Sequence, residues 1–192
     1  MSMPADDALS PAQKAMQALW EEHLAAEFQA KDAHASCDTM TETPYVNHVP
    51  VLTGGVGRDQ LEHFYAAYFI PKMPPDVEMV PISRTIGQDR IVDEFVFRFT
   101  HTVEMPWMLP GVPPTGKRVE SVFVVVVGFE NGRISHEHIH WDQASVLVQL
   151  GLLDPAGLPV AGAGAETARK MLDRNAVPSN GLLKRTIADK RI

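Results

Sequence analysis

Val122-Phe123-Val124-Val125-Val126-Val127 is an unbroken apolar run. Successive side chains of a strand point to opposite faces. A strand with this sequence therefore has to be covered on both sides. Four residues further on, Asn131-Gly132 stands between this run and another stretch containing Ile134, Ile139 and Trp141. Asn-Gly between two such runs is a strong hairpin signal. The chain must therefore build an antiparallel sheet with one face under helices and the other under something else. A second subunit is the economical cover, so a homodimer through the sheet is expected. The local alternative is a C-terminal extension folded back over it.

The remaining elements follow from periodicity and punctuation. Ser10-Pro11 supplies an N-cap and a first-turn proline. Met16, Leu19, Trp20, His23, Leu24 and Phe28 then follow helical spacing, predicting an amphipathic helix to about Ala35. A short extended piece, Tyr45 to Val49, ends at Pro50 and a Gly54-Gly55 turn. A second helix runs from Arg58 to Phe69 and is stopped by Pro71, Pro74 and Pro75. Strands are predicted at Val77–Ile86, Ile91–Glu104, Arg118–Phe129 and from Arg133 to Asp142, with a proline-rich loop at Pro106–Pro114. Helices first and a meander after give an α+β fold, a curled antiparallel sheet packed against N-terminal helices. Residues 1–9 read as a flexible terminus, 10–154 as the folded domain and 155–192 as a C-terminal extension with a short helix near Ala165–Leu172.

Composition sets the outer limits. A length of 192 residues is enough for one core without staples. The lone cysteine, Cys37, cannot form an internal disulfide, and the N-terminus has no signal-peptide pattern, so a cytoplasmic location is expected. A formal charge of -7 argues against nucleic acid, and no apolar run is long enough to span a membrane. The basic tail at Lys184, Arg185, Lys190 and Arg191 is read as solvated or partner-packed.

Chemistry concentrates in His136-Glu137-His138-Ile139-His140-Trp141-Asp142. With a period of two, His136, His138, His140 and Asp142 share one strand face. If that face lines a cavity it can transfer protons, because imidazole titrates near neutrality and a neighbouring carboxylate sets its tautomer. His138 and His140 are the candidate acid, and His136 lies nearer the rim. His48, His101 and Tyr65 are candidate ligand contacts. His101 shares its parity with Asp93, Phe95, Phe97 and Phe99. An H-x-H strand can also hold zinc, with Asp142, His48 or His101 as a third ligand. A single β-bulge after Asn131 would turn the stripe outward.

Several motifs, in order, resemble the SnoaL-like polyketide cyclase branch of the nuclear-transport-factor-2-like superfamily. They are His48-Val49-Pro50 with Gly54-Gly55-Val56-Gly57-Arg58, then Pro113-Pro114-Thr115-Gly116-Lys117, Asn131-Gly132-Arg133-Ile134, and Trp141-Asp142 leading to Gln149-Leu150-Gly151-Leu152. The resemblance covers about Pro11 to Leu153 and implies a cone-shaped sheet around a pocket. It also implies that Asp142, at the end of the last strand, is the general acid/base of a cofactor-free reaction, with no metal assigned. The chain departs from the family in carrying His136 and His138 where glutamate and tryptophan are common. No nucleophile elbow flanks Cys37 or Ser145, which excludes dienelactone-hydrolase chemistry.

The expected function is acid/base chemistry next to a carbonyl, of cyclase, isomerase or dehydratase type, on a small apolar or aromatic molecule. Asp142, His140 and His138 are the expected catalytic groups. The alternatives are a non-catalytic small-ligand-binding protein and a metal-dependent hydrolase built on the histidine strand.

Overall fold

A computed structural model of the chain describes residues 9–161 and 165–183. The distal termini, including the basic tail at Lys184–Arg191 and most of the N-terminal segment, lie outside the described residues. Six strands form one open, curled sheet in the order β2-β1-β6-β5-β4-β3. They are β1 (Met40–His48), β2 (Thr53–Val56), β3 (Glu78–Ile86), β4 (Arg90–Thr100), β5 (Arg118–Glu130) and β6 (Arg133–Trp141). The β3-β4-β5-β6 meander is antiparallel, as the turn signals require. Asn131 and Gly132 both have positive φ, the geometry of a two-residue hairpin turn.

The edge beyond β6 differs from the expected meander. Strand β1 pairs with β6 in parallel, and β2 folds back antiparallel onto β1. Gly54-Gly55, expected as a turn, belongs to β2, and the turn itself lies at Val49–Leu52. The glycine at 54 is required by proximity, since a Cβ there would stand 2.0 Å from the Val46 carbonyl oxygen. Strand β4 stops at Thr100, short of the expected Glu104, because residues 101–117 turn back through the proline-rich loop.

Two helical segments cover the concave face. Helix α1 (Pro11–Ala25) begins at a Ser10/Gln13 capping box and widens into a π-helical turn at Ala26–Ala30. Lys31 then adopts a left-handed conformation and α2 (Ala33–Asp38) starts afresh, so the single helix expected to Ala35 is broken. Helix α3 (Arg58–Phe64) likewise continues as a π turn at Tyr65–Phe69. Helix α4 (Gln143–Leu150) follows β6, and α5 (Glu166–Leu172) lies in the extension.

Along β5 the inward residues Phe123, Val125 and Val127 are buried while Val122, Val124 and Val126 are half-buried. Part of their cover comes from within the chain. Ala165 and Ala168 pack against Val96 together with Val80, Ile82 and Val122 on the convex face. The C-terminal extension thus takes the local alternative for one side of the convex face.

Candidate active site

The helices and the concave sheet enclose a cavity of about 230 Å³. Pockets for drug-sized ligands typically measure roughly 300–1,000 Å³, so this one suits a smaller molecule. The walls are aromatic: Phe69, Phe95, Phe97, Trp107 and Phe123 all face it. Met79 and Pro81 on the edge strand β3 are exposed, whereas Tyr65 and Phe97 are fully buried, so the cavity deepens from β3 toward α3. Both π turns lie along its wall, the first contributing Glu27 and Phe28 and the second Tyr65 and Phe69. A π turn adds one residue per turn and re-aims the side chains that follow, and such turns are frequent at functional sites.

A buried polar cluster sits among these rings. His23 Nε2 lies 3.2 Å from both Glu27 Oε1 and Glu137 Oε1. Tyr65 Oη donates to Glu137 Oε1 at 3.1 Å and stands 3.5 Å from His23 Nε2. On its other side, His23 Nδ1 faces Thr39 Oγ1 at 2.7 Å and the Ser36 carbonyl oxygen at 3.1 Å. Thr39 donates its own hydrogen to Ser36, so Nδ1 must carry a proton and donate. Trp20 stacks on the imidazole at 5.5 Å and fixes its plane.

The charges in this cluster are unequal. Burial works against a charged His23, but Glu27 and Glu137 overcome it and lift the imidazolium to about 10. Burial raises the Glu27 carboxyl above the ordinary range, more than the His23 charge lowers it. Burial raises Glu137 too, but His23 and the hydrogen bonds from His23 and Tyr65 outweigh it, and this carboxyl is held down and ionised. Near neutral pH the cluster therefore pairs an imidazolium with the Glu137 carboxylate, beside a second carboxyl whose pKa burial raises. Among the described residues, His23, Glu27 and Glu137 also form a trio whose ligand atoms lie within 4.8 Å of one another, close enough to hold a metal ion.

Two further polar groups line the wall. Asp93 takes two hydrogen bonds from Arg84, at 2.6 and 2.7 Å, and one from Trp20 Nε1 at 2.8 Å. Arg84 in turn reaches Glu21 at 3.1 Å, so this arm is internally satisfied. His48 is pushed down to about 4 by burial among Phe64, Phe69, Trp107 and Trp141 and is neutral at physiological pH. Its Nδ1 donates to the Thr53 carbonyl at 3.3 Å, which leaves Nε2 as an acceptor.

Of the residues singled out in the sequence, His48 and Tyr65 line the cavity, as do Asp93, Phe95 and Phe97. The histidine stripe does not. Gly128 pairs with His136 and Phe129 with Ile134, so Ser135 is an extra residue without a partner on β5. That bulge moves Glu137, Ile139 and Trp141 inward and His136, His138 and His140 outward. On the convex face, Tyr45 stacks on His136 at 5.1 Å and its hydroxyl meets His138 Nε2 at 2.8 Å, while His140 is exposed. His101 lies just past the end of β4, where Nδ1 approaches Thr115, and does not reach the cavity. Asp142 is exposed and caps α4, accepting from the Ser145 backbone N–H at 3.2 Å. The predicted trio of Asp142, His140 and His138 is therefore not gathered at the cavity. Asp142→Ala should cost about 1 kcal/mol of stability, the usual value of an N-cap, and leave cavity binding unchanged; urea titration and ligand titration check the two halves.

The sequence reading missed His23, Glu27 and Glu137 as a group. A signal was present, because Met16, Trp20, His23 and Glu27 follow i, i+4, i+7, i+11 spacing and are all buried. An ionisable pair on the buried stripe of an amphipathic helix requires a partner from elsewhere.

Comparison with known proteins supports the fold. A SnoaL-like polyketide cyclase, as it is described, from Jannaschia sp. CCS1 superposes with a TM-score of 0.60 at 18% identity, covering 76% of this chain and 98% of that one. An NTF2-like protein of unknown function from Burkholderia pseudomallei K96243 gives 0.53 at 19%, covering 69% and 95%. AclR from Streptomyces galilaeus, described as a hydroxylase, gives 0.54 at 22%, covering 74% and 88%. Comparison with curated proteins finds no match. The SnoaL-like domain family matches residues 20–137, a stretch that holds His23 of α1, Glu27 of the first π turn and Glu137 of β6. With a family match over more than half its length and the cone-shaped sheet to go with it, the chain belongs to the SnoaL-like domain family.

Proposed function

We propose that this protein is an acid/base enzyme acting next to a carbonyl of a small apolar or aromatic molecule, with Glu27 as the proton-transferring group. One observation carries the reading: a carboxyl raised by burial faces an aromatic cavity, with an imidazolium 3.2 Å away. A general acid/base works best when its pKa lies near the working pH. Burial moves Glu27 in that direction, and His23 offsets the charge that appears when Glu27 ionises. Glu137 holds His23 protonated and is a positioning residue. Isomerisation, dehydration and cyclisation share this proton transfer at the carbon beside a carbonyl. The polar atoms of Tyr65 and His48 are available to orient a ligand oxygen.

The test is hydrogen–deuterium exchange at that carbon, followed by NMR in D₂O with small aromatic ketones such as acetophenone and 1-indanone. The wild-type protein accelerates exchange, and Glu27→Gln reduces it by about 10²-fold or more. Exchange that persists in Glu27→Gln overturns the assignment. Binding without exchange in the wild type favours a non-catalytic ligand-binding protein, which the same cavity would serve.

Two further expectations belong to this reading. Val124 and Val126 are half-buried on the convex face, which supports a second copy as their cover. Cys37 is buried as a free thiol raised to about 11, and a lone cysteine without a disulfide partner supports a reducing, cytoplasmic setting. Among the described residues, no helix is long and apolar enough to cross a membrane.

A further inference from the structure

We propose that His23 Nε2, Glu27 and Glu137 form a site for a first-row divalent cation, with Tyr65 Oη beside it. The proposal deepens the acid/base reading, since it places a Lewis acid at the same cavity wall. Geometry is the first support. Ligand atoms on one ion at about 2.0–2.2 Å lie about 2.9–3.5 Å apart, and His23 Nε2 stands 3.2 Å from each carboxylate oxygen. The second support comes from contacts of His23 outside the trio. Metal-bound histidines almost always donate their other ring N–H to a carbonyl or carboxylate, which fixes the ligating nitrogen. His23 Nδ1 does so, toward Ser36 and Thr39, leaving Nε2 aimed at the two carboxylates. Trp20 stacking completes the orientation.

The donor set of one imidazole and two carboxylates suits zinc, cobalt or manganese better than soft ions, which need thiolates. The cation would replace a proton. The groups facing His23 are Glu27 on its own helix, Glu137 on β6 and Tyr65 on the second π turn, while His48 is close enough to Glu137 to act on its charge. Binding M²⁺ at Nε2 must release the proton from that nitrogen. Affinity therefore rises with pH. The metal-bound state would polarise a ligand carbonyl, while in the metal-free state the Glu27 carboxyl stands in its place.

Isothermal titration with Zn²⁺ and the visible absorption of Co²⁺, on tag-free protein, test the site. The outer-strand imidazoles could bind ions too, so the reference protein carries His136→Gln, His138→Gln and His140→Gln. Expected is one ion per chain in that background, proton release in two buffers of different ionisation enthalpy, and at least 100-fold weaker binding in Glu27→Gln and Glu137→Gln. If either glutamine variant fails to fold, the corresponding aspartate variant, which keeps the charge on a shorter arm, should bind at least tenfold more weakly. Absence of binding, or binding lost with the outer histidines and retained in Glu27→Gln, overturns the proposal. The ketone exchange assay repeated in EDTA separates the two readings. Exchange without metal affinity refutes only the cation site, and metal affinity without exchange refutes only the acid/base assignment.

Discussion

Replacing His23 with glutamine should destabilise the protein by about 3–5 kcal/mol at pH 7.5, the cost of removing one partner from a buried ion pair. Glutamine can still donate one hydrogen bond, but it leaves the buried Glu137 carboxylate without its cation. The pH dependence identifies the cause. His23 rises from 6.5 unfolded to about 10 folded, so the native state binds one more proton across that interval. Its contribution to stability is complete below pH 6.5 and is lost as pH climbs through 10. In the variant, Glu137 loses the charge that holds it down, its folded pKa rises, and the native state gains stability on acidification. Between pH 6.5 and 5 the deficit relative to wild type should therefore shrink. Urea titrations at pH 5, 6.5, 8 and 9.5 measure this, and a deficit constant over the whole range would show that packing, not charge, had been lost. A double variant, His23→Gln with Glu137→Gln, should recover part of the loss by removing the stranded carboxylate.

Trp107→Ala should cost a similar amount, about 3–5 kcal/mol. Trp107 belongs to no strand or helix, yet it is 1% exposed. Its ring meets Phe69 at 5.1 Å, His48 at 5.3 Å, Phe97 at 5.9 Å and Trp141 at 6.2 Å. It thereby joins β1, β4, β6 and the second π turn at the cavity wall. Met105, Met108 and Leu109 are equally buried and anchor the same loop. Truncation removes a shared surface of four elements and opens the cavity, so ligands too large for the wild type should gain affinity. Among the described residues the indole Nε1 has no hydrogen-bond partner, hence Trp107→Phe loses no bond, keeps an aromatic ring in place and should cost clearly less than Trp107→Ala. Thermal melts of the two variants compare these effects directly, and a Phe variant as damaged as the Ala variant would refute the packing account.

Local signals carried much of the fold. Ser10-Pro11 starts α1, Asn131-Gly132 makes the β5–β6 hairpin, and prolines end the second helix, because each acts within a few residues of itself. The parallel pairing of β1 with β6 had no such signal, as it joins segments about 90 residues apart. The convex cover was legible as a need, not as a solution. The Val122–Val127 run showed that something must lie there, and the supply of Ala165 and Ala168 from the extension depends on chain length and closure. At the site, β6 does reach the cavity, but through Glu137 and Ile139 and not through the face carrying the histidines. Alternation tells which residues share a face, and only the register on β5 tells which face is inside. His48 and Tyr65, expected as ligand contacts, line the cavity. Glu27 and Glu137 were passed over because each is a lone carboxylate in sequence, and they become a pair only through His23.

Ser135 also sets how this strand tolerates changes in length. Loss of that residue would leave Gly128 opposite His136 and Val127 opposite Glu137, as they already are, and would merely straighten the strand. An insertion or loss one step further on, between His136 and Trp141, that no second bulge takes up would exchange the two faces of everything beyond it. Related chains that differ by one residue before this glutamate can thus keep the same cavity chemistry. Those that differ by one residue after it, with no second bulge, must rebuild the wall. Position along the strand, counted from a single serine, separates drift in length that is silent from drift that founds a new site.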